Sequence, residues 1–239
     1  MAEESEERAV EYYVTLRSKD GQETEVMGNV QSSNRVKMET KDPDDKSPGF
    51  GMKMVIFSMA KKFPSVKQLS TNVLGKWMKC SAQTTAVEDD AELCKIQNED
   101  TVDSNLIILD CRPEEEYIVS HIPGALRVDY DNDTSKIVEV VPQLNSGNEK
   151  KTIVCYCSLG YRSCVVAQKL DQYYNSKTGD SSSVEPMSPN VYNLAGSLFK
   201  WANEGRSMQD LDNKTTVYAH PFTPMWSKFL DKNLRREHP

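Results

Sequence analysis

A cysteine and an arginine lie close together in the segment Cys157-Ser158-Leu159-Gly160-Tyr161-Arg162-Ser163, with four residues between them. An apolar run, Ile153-Val154-Cys155-Tyr156, comes before this segment, and a helix-like stretch from Ser163 to about Tyr174 follows it. A free cysteine thiol has a pKa near 8.5, and a helix N-terminus or a nearby cation lowers this pKa to roughly 3.5–7.5. Because both features stand beside Cys157, the pattern predicts a nucleophilic thiolate and makes Cys157 the candidate catalytic residue.

The residues that follow Cys157 are suited to hold an anion. Gly160 permits the positive φ that a tight loop requires, and the backbone N–H groups of the loop can converge on one point. The guanidinium of Arg162 offers fixed donors to an oxyanion. We therefore predict a substrate- and anion-binding loop formed by Ser158, Leu159, Gly160, Tyr161, Arg162 and Ser163.

The spacing between Cys157 and Arg162 distinguishes two reaction classes. Tyrosine and dual-specificity phosphatases place one more residue between their cysteine and arginine, which makes a loop wide enough for phosphate. The shorter loop of this chain favours a single sulfur carried on the cysteine. A small phosphatase or an arsenate reductase is therefore the less favoured alternative.

Composition limits the other classes of function. The chain has 239 residues, of which 38% are hydrophobic and 27% charged, which is typical of one domain with extra segments. A net charge of −7 argues against a nucleic-acid or anionic-membrane partner for the whole protein. The acidic N-terminus resembles neither a signal peptide nor a transit peptide, and the apolar stretch from Phe50 to Phe63 is shorter than a membrane span. We expect a cytoplasmic protein.

The cysteines do not form a pattern typical of a disulfide framework or a zinc site. The chain has six cysteines and three histidines, and no two cysteines are separated by the two residues of a paired C-x-x-C motif. We expect reduced thiols in an intracellular protein, with no metal and no cofactor.

The sequence divides into four parts. We predict an N-terminal β-hairpin appendage with an Asp-Gly turn at residues 1–31 and a linker at residues 32–63. The main domain is predicted at residues 64–206, with surface insertions at 81–104 and 175–190. Residues 207–239 are predicted to form a C-terminal strap that packs on the domain.

The main domain alternates predicted strands with predicted helices. The continuous apolar run Leu106–Leu109 is typical of a strand buried on both faces of a parallel sheet, and further strands are predicted at Thr152–Tyr156 and Val191–Leu194. Helical patterns lie between them, so the strands must be joined by crossovers. The fold class is therefore α/β with a mostly parallel sheet.

Four motifs in this order resemble the rhodanese-like domain family. Asp110–Tyr117 resembles the segment Asp-x-Arg-x-x-x-Glu-Tyr, and His121–Ala125 matches the turn His-Ile-Pro-Gly-Ala. Tyr156–Ser163 matches the active loop Tyr-Cys-x-x-Gly-x-Arg-Ser, and Val191–Trp201 resembles the ending Leu-x-Gly-Gly-x-x-x-Trp. The resemblance covers roughly residues 64–205. It implies a three-layer fold with helices on both faces of the sheet.

The chain departs from these motifs at two glycines and at the two insertions. Ser120 replaces the usual glycine before His121, and Ser197 replaces the second glycine of the last motif. The cysteine and the arginine of the active loop are both present. The insertions occupy positions where surface loops can grow.

The resemblance implies a sulfurtransferase. In such an enzyme the Cys157 thiolate attacks a sulfane sulfur donor such as thiosulfate and becomes a persulfide, which passes its outer sulfur to cyanide or to a thiol. The implied partners are a small sulfur-containing anion and an acceptor thiol, either small or part of a protein. Arg162 would orient the anionic donor.

Other polar residues of the motifs are expected to support the loop rather than to react. Asp110 and Arg112 are expected to brace the sheet edge, and His121 to be a hydrogen-bonded turn residue. Cys155 is expected in the core. Cys164, at the start of the helix, is an alternative partner that could resolve a persulfide on Cys157.

A function without catalysis is the main alternative. A catalytically silent rhodanese-like module would bind or regulate a protein partner through the acidic insertion or the N-terminal hairpin. The presence of both Cys157 and Arg162 favours the enzyme.

Overall fold

A computed structural model describes residues 9–17, 23–31, 48–83, 105–146, 150–177 and 188–239. The chain divides into two units, residues 1–40 and 41–239. In the first unit, strand β1 (Ala9–Arg17) pairs antiparallel with strand β2 (Glu23–Gln31). The Asp-Gly turn predicted between these strands lies at residues 18–22, outside the described residues. The hairpin as a whole therefore stays a prediction.

The second unit alternates helices with strands. In chain order its elements are α1 (Phe50–Lys62), β3 (Lys67–Leu69), α2 (Thr71–Gln83), β4 (Leu106–Asp110), α3 (Glu114–Tyr117), β5 (Leu126–Arg127), α4 (Thr134–Val140), β6 (Thr152–Tyr156), α5 (Tyr161–Lys177), β7 (Asn190–Leu194), α6 (Ser197–Asn203), β8 (Met208–Gln209) and β9 (Thr215–Thr216). Short 3₁₀ turns cover Pro142–Leu144, Ser227–Phe229 and Lys232–Leu234.

A parallel sheet forms the centre of this unit. Its strand order is β3-β7-β6-β4-β5, and each neighbouring pair is parallel. In the register of the three central strands, Ile153 of β6 lies opposite Ile107 of β4 and Val191 of β7. The three strands predicted at Leu106–Leu109, Thr152–Tyr156 and Val191–Leu194 thus form the centre of the sheet, and the predicted α/β class is confirmed.

Both faces of the sheet are covered. Successive side chains of a strand point to opposite faces, so Ile107 and Ile153 pack on one face against α4 and α5. Ile108 and Val154 pack on the other face against α2 and α6. The three-layer arrangement is therefore confirmed.

Helix α4 was not predicted from the sequence. The side chain of Asp133 caps it by accepting a hydrogen bond from the backbone N–H of Lys136 at 2.8 Å. Ile137 and Val138 of this helix are buried in the core. The aspartate cap was the local signal that could have indicated the helix start.

The linker predicted at residues 32–63 is wrong in its second half. Residues Phe50–Lys62 form helix α1, and Met52 of this helix is buried in the core. Val55 and Ile56 are partly buried against the same cluster. Lysines interrupt this stretch, but the helical repeat places Met52, Val55 and Ile56 toward the core, while Met54 and Phe57 stay exposed. Structure of the second unit thus begins well before residue 64.

Both predicted insertions begin later than expected. Helix α2 continues to Gln83 and helix α5 to Lys177, past the predicted boundaries at 81 and 175. Residues 84–104 and 178–187 lie outside the described residues. The nature of the two insertions stays a prediction.

The C-terminal residues 207–239 pack on the face of the sheet that α2 and α6 cover. Met208, Ala219 and Leu230 are buried in that cluster. Asn203, at the end of α6, donates a hydrogen bond to the carbonyl oxygen of Phe229 at 2.9 Å and accepts one from the backbone N–H of Asp231 at 2.9 Å. These contacts hold the strap on the domain.

A buried ion pair ties the end of β4 to the turn that follows α3. Arg112 donates to both carboxylate oxygens of Asp110, and its Nη2 also donates to the carbonyl oxygen of Ser120 at 2.6 Å. The hydroxyl of Tyr156 donates to Asp110 at 2.7 Å and accepts a hydrogen bond from the backbone N–H of Ile122 at 3.0 Å. Asp110, Arg112 and Tyr156 are fully buried. The carboxylate of Asp110 therefore connects two central strands and the turn.

We expect Asp110→Ala to lower the free energy of unfolding by about 3–5 kcal/mol, because the variant leaves the guanidinium of Arg112 buried without its counter-charge. Lys136→Ala is the control, since it removes an exposed ion pair with Glu139 that is worth about 1 kcal/mol or less. Urea denaturation followed by circular dichroism measures both. A loss below about 1 kcal/mol for Asp110→Ala would contradict the bracing role of the pair.

Candidate active site

The candidate loop lies at the carboxyl end of the central strand β6. Cys157 follows directly after Tyr156, and helix α5 begins at Tyr161. In open α/β sheets, ligand sites form at the carboxyl ends of the strands. The neighbouring strands β4 and β7 end at the same edge of the sheet, so their following segments can reach the loop.

The sulfur of Cys157 is enclosed by its own loop. The residue is only 2% exposed, and the backbone N–H of Gly160 donates to Sγ at 3.0 Å. Gly160 has a φ of 116°, a conformation that side chains rarely adopt, and an added Cβ would lie 3.4 Å from the Cγ of Met59. The glycine predicted from the sequence is thus required for the loop to turn its amide toward the sulfur.

The site favours the thiolate form of Cys157. Burial by itself raises the pKa of this thiol, because it removes the charged form from water. The positive charge of Arg162 and hydrogen bonds from Ser163 and Gly160 outweigh burial, so the pKa of Cys157 lies below its ordinary value. The cysteine is therefore prepared to act as a nucleophile near neutral pH.

The start of helix α6 holds the backbone of the loop. The backbone N–H groups of Leu198 and Phe199 donate to the carbonyl oxygens of Cys157 and Ser158 at 3.0 and 3.1 Å. The hydroxyl of Ser197 accepts a hydrogen bond from the backbone N–H of Cys157 at 3.2 Å. The carbonyl groups of Cys157 and Ser158 and the amide of Cys157 are thus all hydrogen-bonded to the first turn of α6.

Ser197 occupies a position that favours glycine. Its φ is 52°, in the left-handed region, which explains why the motif usually has glycine there. The serine hydroxyl also donates to the carbonyl oxygen of Leu194 at 3.2 Å. The side chain that causes the strain therefore also makes two hydrogen bonds, one of them to the nucleophile's backbone.

Glu116 is a site residue that the sequence analysis did not select. Its carboxylate accepts hydrogen bonds from Nη1 and Nη2 of Arg162 at 2.7 and 3.1 Å, and another from the hydroxyl of Ser158. Glu116 is 2% exposed. It is the glutamate of the Asp-x-Arg-x-x-x-Glu-Tyr segment, which was the signal that could have identified it. The positive charge of Arg162 is therefore compensated inside the protein.

Two of the predicted supporting residues, Asp110 and Arg112, precede Glu116 in the chain, and the third, His121, follows it. Asp110 and Arg112 form the buried ion pair described above. The ring of His121 stacks on Tyr117 with centroids 4.1 Å apart, and its Nδ1 lies 3.3 Å from the carbonyl oxygen of that residue. Burial lowers the pKa of His121, which keeps the imidazole neutral. The contacts of Asp110, Arg112 and His121 thus stabilise turns of the chain.

The other cysteines near the loop are buried. Cys155 lies in the core cluster on the same face as Cys157. Burial raises the pKa of Cys164 to about 12, so its thiol stays protonated at neutral pH. A protonated thiol is a poor nucleophile, and this environment argues against Cys164 as a resolving residue.

A cavity of about 630 Å³ opens above Cys157. Helix α1 contributes Met54 and Met59 to its walls, the loop contributes Leu159 and Tyr161, and the strap contributes Phe222, Trp226 and Phe229. Neither α1 nor the strap was predicted to belong to the site. Their apolar side chains were visible in the sequence, but the sequence did not show which surface they cover.

Phe222 connects the strap to the loop. Its ring lies over the guanidinium of Arg162, with 4.4 Å between the guanidinium carbon and the ring centroid. Phe222 has a φ of 67°, a strained value for a residue with a side chain. Arg162 is thus bound at its edge by Glu116 and covered on its face by Phe222.

Residues 90–204 match the family model of the rhodanese-like domain. This segment is a rhodanese-like domain. The match begins 26 residues after the expected start at residue 64, so it leaves out β3 and α2 although β3 belongs to the same sheet. No match was found among curated proteins.

Solved structures resemble the rhodanese-like chain at low identity. A thiosulfate sulfurtransferase from Pseudomonas aeruginosa is 16% identical with a TM-score of 0.37, over 69% of this chain and 23% of that one. A protein of Bacillus halodurans is 16% identical with a TM-score of 0.39, over 75% and 98%. A rhodanese-like domain protein from Staphylococcus aureus is 16% identical with a TM-score of 0.29, over 57% and 91%. The assignment rests on the family match and on the sheet itself.

Among the described residues, no helix is both long and apolar enough to cross a membrane. The same part of the chain holds no group of three or more His, Cys, Asp or Glu residues placed to bind a metal ion.

We expect the rate of alkylation of Cys157 by iodoacetamide to fall, as the pH is lowered, around a midpoint below the value of about 8.5 for a free cysteine. Arg162→Met should raise this midpoint by about 1–3 pH units, since it removes the cation that stabilises the thiolate. Arg162→Lys, which keeps the charge, should change it less. Mass spectrometry of the peptide that contains Cys157 measures the rate, and equal midpoints in all three proteins would contradict this assignment.

A pair of substitutions at Ser197 separates strain from hydrogen bonding. Ser197→Ala and Ser197→Gly both lose the hydroxyl. The positive φ at this position is unfavourable for alanine but not for glycine, so Ser197→Ala should be the less stable variant by about 1 kcal/mol. Thermal unfolding of both variants provides the measurement. If glycine were the more destabilising of the two, the left-handed backbone would not be a source of strain.

Proposed function

We propose that this chain is a sulfurtransferase that carries a sulfane sulfur on Cys157. The observation that carries the proposal is a buried cysteine whose sulfur accepts a hydrogen bond from the Gly160 amide and whose pKa is lowered by Arg162, further along the same loop. The rhodanese-like family match supports the same conclusion. The spacing of four residues between Cys157 and Arg162 favours one additional sulfur over a phosphoryl group.

The proposed reaction has two steps. In the first, the Cys157 thiolate attacks the outer sulfur of thiosulfate or a related donor, the S–S bond of the donor breaks, and sulfite leaves with the electron pair. In the second, an acceptor thiolate or cyanide attacks the outer sulfur of the Cys157 persulfide, and Cys157 leaves as a thiolate. Electrons balance in both steps without a metal or a cofactor, and the kinetics should be ping-pong.

The loop amides have a defined role in this sequence. A persulfide places its negative charge on the outer sulfur, one bond further from the backbone than the thiolate. The N–H of Gly160 donates to Sγ, and the positive charge of Arg162 lowers the pKa of the Cys157 thiol, so both already stabilise negative charge at this sulfur. Preorganised donors of this kind stabilise developing charge without reorganisation.

The partners in this proposal are a small sulfur-containing anion and an acceptor thiol, which is either a small molecule or a protein cysteine. Cys111, Cys155, Cys157 and Cys164 are free and buried. Reduced thiols are typical of the cytoplasm, which we propose as the location.

One observation favours a second candidate, a silent module that binds a protein. The guanidinium of Arg162 is paired with Glu116 and covered by Phe222, so it has fewer donors for an incoming anion than an open loop would have. In that case the apolar walls above Cys157 would contact a partner instead of a substrate.

We expect the wild-type protein to transfer sulfur from thiosulfate to cyanide and to gain a mass of about 32 Da, the mass of one sulfur atom, when it is incubated with a donor alone. Cys157→Ser should lose both properties, and Cys164→Ser should keep both because Cys164 is a protonated core thiol. Thiocyanate production and intact-protein mass spectrometry are the measurements.

If the wild-type protein accepts sulfur from no donor and still captures a protein partner, the silent module replaces the enzyme. Hydrolysis of an aryl phosphate that disappears in Cys157→Ser would instead establish a phosphatase. Phosphatase activity is not expected from a loop with only four residues between Cys157 and Arg162.

A further inference from the structure

The cavity above Cys157 is much larger than the inorganic substrates of the proposed reaction. Its volume of about 630 Å³ falls in the range of about 300–1,000 Å³ that is typical of pockets for organic molecules. Thiosulfate or cyanide would fill a small part of this space and leave the apolar walls in contact with water. The remaining space is therefore available to a substituent attached to the reacting sulfur.

Two segments outside the matched family residues 90–204 contribute to the walls of the cavity beside the Cys157 loop. Met54 and Met59 belong to helix α1, and Trp226 and Phe229 belong to the strap. The two segments meet where Phe229 approaches Gly51, so closely that a Cβ at position 51 would lie 3.0 Å from the phenylalanine ring. Methionine and aromatic side chains adapt to apolar groups of varied shape.

Charge inside the cavity does not favour a dianion. Arg162 is the charged residue among those that line it, and its guanidinium donates to Glu116 through both terminal nitrogens. The hydroxyl groups of the lining belong to Ser58, Ser158 and Tyr161, and the hydroxyl of Ser158 donates to Glu116. Bringing thiosulfate into such a site costs hydration of two negative charges with one compensated cation to replace it.

We propose that the sulfur substrate of Cys157 is a small thiol, together with its persulfide, that carries a large apolar group such as an aryl or branched alkyl chain. The proposal rests on the sulfurtransferase function and names its substrate class. The apolar group would lie between Met54 and the ring of Trp226, with its sulfur toward Cys157.

The transfer step then follows from this placement. The thiolate of the bound thiol attacks the outer sulfur of the Cys157 persulfide, a new S–S bond forms, and the bond between that sulfur and Sγ breaks. Cys157 leaves with the electron pair as a thiolate, and the product is the persulfide of the apolar thiol. The reverse step loads Cys157 from the same persulfide, so one pocket serves both directions.

Helix α1 offers a matched pair of variants. Met54 and Phe57 are both about half exposed, at 48% and 47%, but Met54 lines the cavity and Phe57 does not. Lysine at either position leaves the core unchanged. Met54→Lys places a charge in the wall, and Phe57→Lys places the same charge on the same helix outside it.

The first measurement is binding without chemistry. In the full chain carrying Cys157→Ser, calorimetry should show that 4-tert-butylbenzyl mercaptan binds at least about tenfold more tightly than 2-mercaptoethanol. Adding Met54→Lys should raise the Kd of the apolar thiol about tenfold, while adding Phe57→Lys should change this Kd less than about twofold. Equal affinities for the two thiols, or equal effects of the two lysines, would overturn the proposal.

The second measurement separates this proposal from the function on which it rests. Wild-type protein loaded with sulfur should show a kcat/KM that rises with the apolar size of the acceptor thiol. If loading succeeds and the acceptors do not differ, the sulfurtransferase stands and the apolar substrate is refuted. If no donor loads Cys157 while binding of the apolar thiol still depends on Met54, the transfer fails and the ligand class stands.

A protein acceptor is tested in the same calorimeter. A short peptide with a cysteine flanked by leucines presents the same apolar character on a larger scaffold. If this peptide binds more tightly than the apolar mercaptan, the small-molecule substrate is refuted and a protein partner takes its place.

Discussion

The ion pair between Arg162 and Glu116 sets the electrostatics of the whole site. A thiolate buried to 2% exposure needs a counter-charge, because burial alone would return it to the neutral thiol. Arg162 supplies that charge, and Glu116 fixes its position with two hydrogen bonds. The three charges together sum to one negative charge, so the site stabilises the nucleophile without becoming a general anion trap. The position of α3, which carries Glu116, is therefore part of the chemistry.

Backbone constraints provide the geometry on which this charge balance depends. Gly160 turns one amide toward the sulfur, and the first turn of α6 fixes the carbonyls of Cys157 and Ser158 at the start of the loop. Ser197 adds its hydroxyl at the cost of a left-handed backbone. Strain of this kind persists only where surrounding contacts outweigh it, and here those contacts are the hydrogen bonds to Leu194 and to Cys157 itself. The loop is consequently rigid before any substrate arrives.

The sequence predicted the parts of the molecule that local patterns encode. Continuous apolar runs identified the central strands, and the Cys157 loop was recognisable because its residues are adjacent in the chain. Glu116 was harder to select, since it follows Glu114 and Glu115. Those two are exposed and only Glu116 is buried, a difference that the turn of a short helix creates. Helix α1 was missed because its apolar side chains show what it can bury and not which surface receives them.

The two segments that close the cavity explain why the matched family residues describe only part of the site. Cys157, Arg162 and Glu116 lie within residues 90–204, whereas α1 and the strap lie outside them. The strap is not a loose addition, because Phe222 accepts a strained backbone in order to place its ring on Arg162. Phe222 covers Arg162 from outside the matched family residues, so the strap couples the shape of the cavity to the charge of the loop. In the proposed function, the reaction type thus follows from the sheet edge, and the choice of substrate follows from the segments that surround it.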